Sequence, residues 1–121
     1  MGASPPKRWL ERCLQDAEEA GATVISATHH NLVDHSDRIN KNYTLDNAQV
    51  VLDLYDRYGV VVNLSGHIHV QSIAASQREN HGIFDIATSS LAVYTNQYGQ
   101  LTVEPGKIVG LLGPNGSGKT T

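Results

Sequence analysis

Cysteine is almost absent from this chain: Cys13 is the only one in 121 residues, so no intrachain disulfide can form. That absence suits a reducing, cytoplasmic setting. No apolar run is long enough to cross a bilayer, and "MGASPPKRWL" lacks the apolar core of a signal peptide, so membrane insertion is not expected. Gly2 does not make an acylation motif, because Pro6 stands where Ser or Thr is needed. An excess of positive charge is also missing. The net charge of -3 gives no electrostatic case for nucleic acid or an anionic membrane as partner. Repeats, low-complexity tracts and an evident linker are lacking too. What remains is the composition of an ordinary globular domain, 40% hydrophobic and 17% charged, with length for one good core.

The chain reads as helix, strand, helix, strand, then a run of shorter strands. "SPPKRWLERCLQDAEEAG" predicts an amphipathic helix with Ser4 as cap, Pro5 in the first turn and Gly21 at the stop. Trp9, Leu10, Cys13, Leu14 and Ala17 would face the core. "ATVISAT" predicts a short strand, and "DNAQVVLDLYDRY" a second helix. Asp46 would cap that helix, Val50, Val51, Leu54 and Tyr58 would point inward, and Gly59 would end it. "VVVNLS" reads as a strand buried on both faces. "VQSIAAS", "GIFDIAT", "LAVYTNQ", "QLTVEPG" and "KIVGLLG" have strand character, giving a layered α/β fold with a hairpin-rich C-terminal half.

Histidine is the anomaly. Five of the six fall in two windows, "THHNLVDHS" and "GHIH", each at the end of a predicted α/β strand. Ligands of open α/β sheets bind beyond the carboxyl ends of the strands. Parallel strands would bring His29 and His30 to the same edge as His67 and His69. Neutral imidazole suits zinc, iron, manganese or nickel. His67 and His69, two apart, would share one side of an extended segment, with Gly66 allowing a sharp turn. The alternative is a set of polar loop residues satisfied by water.

"VISATHHNLVDHS", a helix and then "VVNLSGHIHVQ" resemble the C-terminal half of a calcineurin-like metallophosphoesterase, over about residues 4–104. The resemblance implies a layered α/β sandwich and a two-metal centre of manganese, iron or zinc that hydrolyses phosphate mono- or diesters. It places His29, His67 and His69 as metal ligands and His30 as a phosphate or neighbouring contact. His35 and His81 match no motif. Asn31 stands where the family often has proline. The family's Asp-x-His, Gly-Asp-x-x-Asp and Gly-Asn-His-Asp/Glu motifs are not in the sequence. Two-metal hydrolysis requires ions about 3.5–4 Å apart, and histidines without the bridging carboxylate do not hold such a pair. An incomplete phosphoesterase, inactive alone, is the expectation. The "VVVNL" strand would then keep an unpaired edge or exposed face for a partner chain or oligomer.

The last residues carry a different chemistry. "GPNGSGKT" fits G-x-x-x-x-G-K-[ST] with Gly113, Gly118, Lys119 and Thr120. Backbone N–H groups through Asn115, Gly116 and Ser117 would cradle phosphate, Lys119 would reach the terminal phosphates, and Thr120, followed by Thr121, would join the magnesium shell. "VEPGKIVGLLGPNGSGKTT" resembles the opening of an ABC-type ATPase domain, which implies ATP with magnesium as ligand. The expected division is 1–104 for the phosphoesterase-like part and 105–121 for the phosphate-loop segment. Such a loop draws much of its anion affinity from the helix after it. Without one, ordering costs about 1–2 kcal/mol per residue, and no useful ATP affinity is expected. Three functions stay open: an incomplete metal-dependent phosphoesterase, an ATP-binding protein of the ABC type, and a non-catalytic metal-binding or interaction protein.

Overall fold

The computed structural model describes residues 6–36, 44–94 and 96–104, with the backbone alone of 107–112. It is a mixed α/β structure. Helix α1 (Lys7–Glu19) and helix α2 (Ala48–Tyr58) accompany a four-stranded sheet, and a separate two-stranded hairpin follows. The sheet contains β1 (Ser26–Ala27), β2 (Val62–Ser65), β3 (Ser72–Gln77) and β4 (Gly82–Ala87), in the order β1-β2-β4-β3. β5 (Gln100–Glu104) pairs antiparallel with β6 (Lys107–Leu112).

β1 and β2 are parallel, as a helical crossover between them requires, and β2 and β4 are parallel too. β3 runs antiparallel along the outer side of β4 and returns through a tight turn at Arg78–His81. That turn is tied to α2: the Asp56 carboxylate accepts from the Asn80 backbone N–H and side-chain amide, both at 3.0 Å. Arg78 pairs with Asp53 and Gln49 on the same helix.

The pairing register sorts the side chains into two unlike faces. Ala27, Val62, Leu64, Phe84, Ile86, Ile73 and Ala75 share one, which is apolar. Ser26, Asn63, Ser65, Asp85, Ser72, Ser76 and Ile83 share the other. The helices lie over the second, polar face. Ile83 there joins a core with Leu14, Leu32, Leu45, Val51, Leu52, Leu54, Tyr55 and Val60. On the apolar face Val62 and Ile86 are buried, whereas Ile73 and Phe84 are 59% and 46% exposed.

Several expectations are corrected. β2 is flanked on both sides, so the "VVVNL" strand has no free edge; the exposed apolar surface belongs to β3 and β4. Within "LAVYTNQ", residues 91–94 form bends and a turn rather than a strand, with Asn96 at φ 59° and its side-chain amide donating to the Leu91 carbonyl. Trp9 and Cys13 are exposed, because α1 reaches its neighbours only along the Leu10–Leu14 stripe. In α2 the buried stripe is Val51, Leu52, Leu54 and Tyr55, and Val50 lies outside it. Asn47, not Asp46, stands at the cap position of α2, and Pro6 at that of α1. Gly59 does close α2, at φ 75°. Residues 107–112 of "KIVGLLG" form a strand as expected, which pairs with β5 apart from the four-stranded sheet.

Candidate functional site

Both histidine windows lie at one end of the sheet. The Thr28 amide donates to the Leu64 carbonyl, which extends the β1–β2 pairing to the brink of His29. The Gly66 amide then donates to the His29 carbonyl at 3.0 Å. Asn31, fully buried, strengthens this tie: its Nδ2 donates to Ser65 Oγ at 2.8 Å and to the Gly66 carbonyl at 3.2 Å. A carbonyl can only accept, which fixes the amide orientation. Asn31 Oδ1 is thereby left buried with no donor among the described residues.

The result is a cluster of three imidazoles. The ring centres of His29, His30 and His67 lie 4.4–5.2 Å apart, and His29 Nε2 is 3.1 Å from His67 Nδ1. In the absence of an ion such a pair shares a single N–H···N hydrogen bond, since one nitrogen must accept. Burial, and then the neighbouring His30, His29 and His69, push the His67 imidazole below its ordinary pKa. His30 joins the cluster closely. His69 is exposed and stands outside these ring contacts.

The "GHIH" backbone is not extended. His67 and His69 have φ of 67° and 59°, and the Ile68 amide donates to the Gly66 carbonyl at 2.7 Å, closing a γ-turn on His67. Positive φ costs a non-glycine residue about 1–2 kcal/mol, and such strain concentrates at functional sites. The turn is therefore carried by His67 and not by Gly66, where an added Cβ would meet only the His29 carbonyl at an ordinary 3.8 Å.

Two metal–nitrogen bonds of about 2.0–2.1 Å at a tetrahedral angle span about 3.3–3.4 Å. The observed 3.1 Å between His29 and His67 is close to that span, and the orphaned Asn31 carbonyl oxygen lies in the same loop. The residues therefore fit an ion in part. Among the described residues no group of three or more His, Cys, Asp or Glu side chains is arranged to hold a metal ion as it stands. A cleft of about 480 Å³, lined by Leu32, Asp34, Leu45, Asp46 and Val50 among others, opens at the start of α2 and includes none of the histidines.

Beneath this edge lies a polar centre that no motif announced. Asp85, fully buried, accepts from the Leu32 N–H (2.7 Å), the Val33 N–H (3.0 Å), His35 Nε2 (3.2 Å), Asn63 Nδ2 (3.0 Å) and Ser65 Oγ (2.8 Å). Burial alone would raise its pKa; the hydrogen bonds from His35, Val33, Asn63 and Ser65 outweigh it and hold the carboxyl below the usual range. His35 Nδ1 lies 2.9 Å from Ser72 Oγ. Ser26 Oγ donates to Asn63 Oδ1 at 2.6 Å and also meets Tyr55, whose hydroxyl pKa is raised by burial and by the Asp85 charge. The only hint in the sequence was a lone carboxylate in the otherwise apolar "GIFDIAT".

Gly113, Asn115, Gly116, Ser117, Gly118, Lys119, Thr120 and Thr121 lie outside the described residues. No helix among the described residues is long and apolar enough to cross a membrane. Comparison with known protein families and with curated proteins gives no match for this chain.

Proposed function

We propose that the strand-end histidines bind one divalent transition metal (manganese, iron or zinc) and that the site they form serves phosphate-ester chemistry. The observation that carries this reading is the 3.1 Å approach of His29 Nε2 to His67 Nδ1, from loops 38 residues apart in sequence. His30 and the Asn31 carbonyl oxygen are the adjoining candidates for further contacts, and His69 would have to move to join them. Such an ion, when bound, polarises a phosphoryl oxygen. The chain's own part is to hold the two imidazoles at chelating separation, through the His29–Gly66 and Asn31–Gly66 bonds.

A non-catalytic metal site is the second reading, favoured by the absence of a converged carboxylate among the described residues. One experiment separates the two. The purified chain is titrated with manganese and zinc by calorimetry and assayed on an aryl phosphate. Bound metal lost at least tenfold in His67→Ala, with turnover lost in parallel, supports the phosphoesterase reading. Metal without turnover supports the second, and no metal binding refutes both. The phosphate loop reads as an ATP-site sequence from which no useful affinity is expected, and titration with ATP–magnesium tests that, micromolar binding overturning it.

A further inference from the structure

Ser72, His35 and Asp85 form a line that the metal reading does not use. Ser72 opens β3, the outermost strand of the sheet, and pairs with Ala87 at the end where β2 and β4 finish. His35 comes from the loop after β1, and its side chain is 1% exposed. Asp85 comes from β4 and is sealed beneath it. The three are brought together from three separate segments, with spacings of 37 and 50 residues from His35.

The polarity of the line follows from its buried end. Asp85 is held as a carboxylate by five donors, and a carboxylate only accepts. The His35 Nε2 facing it therefore carries the proton. In the neutral ring Nδ1 is then a bare lone pair, and among the described residues it faces Ser72 Oγ, at 2.9 Å. In that form of the ring the Ser72 hydroxyl is the donor. This is the arrangement in which a serine is activated: hydroxyl to base, base to an orienting carboxylate. The two ring nitrogens are used in the opposite order from the familiar protease arrangement, which leaves the roles unchanged.

We infer that Ser72 is a nucleophile toward electrophilic esters, with His35 as its general base and Asp85 as a positioning residue. Ser72 Oγ forms a bond to the acyl carbon while its proton passes to His35 Nδ1. The ester C–O bond breaks, and the leaving alkoxide takes that proton. Water, deprotonated by the same nitrogen, then releases the acid and restores the hydroxyl. Ser72 is half-buried, whereas the side chains of His35 and Asp85 are 1% and 0% exposed, so Ser72 is the outermost member of the line. The proposal rests on these residues alone and stands or falls separately from metal binding.

The test uses the whole 121-residue chain and diisopropyl fluorophosphate, read by intact mass and peptide mapping. Attack by Ser72 forms an O–P bond, expels fluoride and gives the proton to His35. A single adduct per chain is expected, on Ser72, absent in Ser72→Ala and absent when the wild type is unfolded in concentrated urea. His35→Gln should label at least about 100-fold more slowly, with its circular dichroism confirming a folded state. Should that variant not fold, the comparison of native with unfolded wild type decides. A folded wild type that takes no label, or labels other hydroxyls as fast as Ser72, would reduce the line to a structural tie and overturn the proposal.

Discussion

Replacing Asp85 with Asn asks how much of this fold depends on one buried charge. The substitution changes almost no volume, so packing is preserved and only hydrogen bonding and charge differ. In its better orientation the new amide keeps an oxygen toward the Leu32 and Val33 N–H groups and His35. It turns its NH2 toward Ser65, which can rotate to accept, and toward Asn63 Nδ2, which cannot. Three bonds then lose their charge assistance, about 1 kcal/mol each, and one donor-to-acceptor contact is replaced by two donors. Relief from burying a charge returns part of this. The net is about 3 kcal/mol, at the low end of what breaking a buried ionic pair costs. With a urea m-value of about 1.5–2 kcal/mol/M, the midpoint should fall by roughly 1.5–2 M at neutral pH. Urea melts followed by circular dichroism measure it. A shift below about 0.5 M would show that the network is not a principal support. Acid provides a second arm. The Asp85 pKa is lower folded than unfolded, so its stabilisation is complete above the unfolded value near 4 and is lost as pH falls through the folded value. Wild type and Asp85→Asn should therefore converge in stability below pH 4, and curves that stay parallel would refute the linkage.

Other perturbations probe the frame around the site. Gly59→Ala should cost about 1 kcal/mol: the residue sits at φ 75° with nothing within 4 Å of an added Cβ, so the effect is purely that of the left-handed backbone. An unchanged urea midpoint would place the end of α2 in another conformation. Leu54→Ala and Val50→Ala, four residues apart on α2, should differ sharply. The first removes a side chain 1% exposed and should cost about 2–5 kcal/mol, the second one 37% exposed and should cost under about 1 kcal/mol. Equal losses in thermal melts would mean that α2 is rotated about its axis.

The elements whose physics is local were legible in the sequence. Both helices, the parallel relation of β1 and β2 and the αL glycine at Gly59 follow from periodicity, the helical crossover and the glycine stop. Phase was less legible. Val50 and Trp9 fit an apolar stripe, but helix faces are chosen by what they meet, and α1 meets only a narrow strip of neighbours. "GHIH" was visible as a ligand-rich motif, yet the alternation expected of an extended segment fails because His67, at the centre of a γ-turn, and His69 after it both take positive φ. Asp85 was illegible for a plainer reason. Its partners lie 53, 52, 50, 22 and 20 residues away, so no local window contains the site.

The two faces of the sheet bear on how the functional edge is held. A sheet ordinarily presents its apolar side to its helices, but here the helices cover Asn63, Ser65 and Asp85 while Phe84 and Ile73 stay exposed opposite. Burying that polar face is costly unless every group finds a partner, and the partners come largely from the loop that follows His29 and His30. Asp85 takes the Leu32 and Val33 amides and His35, while Ser65 takes Asn31. An apolar face would have packed that loop against the sheet without fixing its register. Directional bonds from Asn31, Leu32, Val33 and His35 leave it one position, and that position sets His29 at 3.1 Å from His67 and Ser72 at 2.9 Å from His35. The polar interior under the helices is thus the part of the fold that gives the strand-end side chains their geometry.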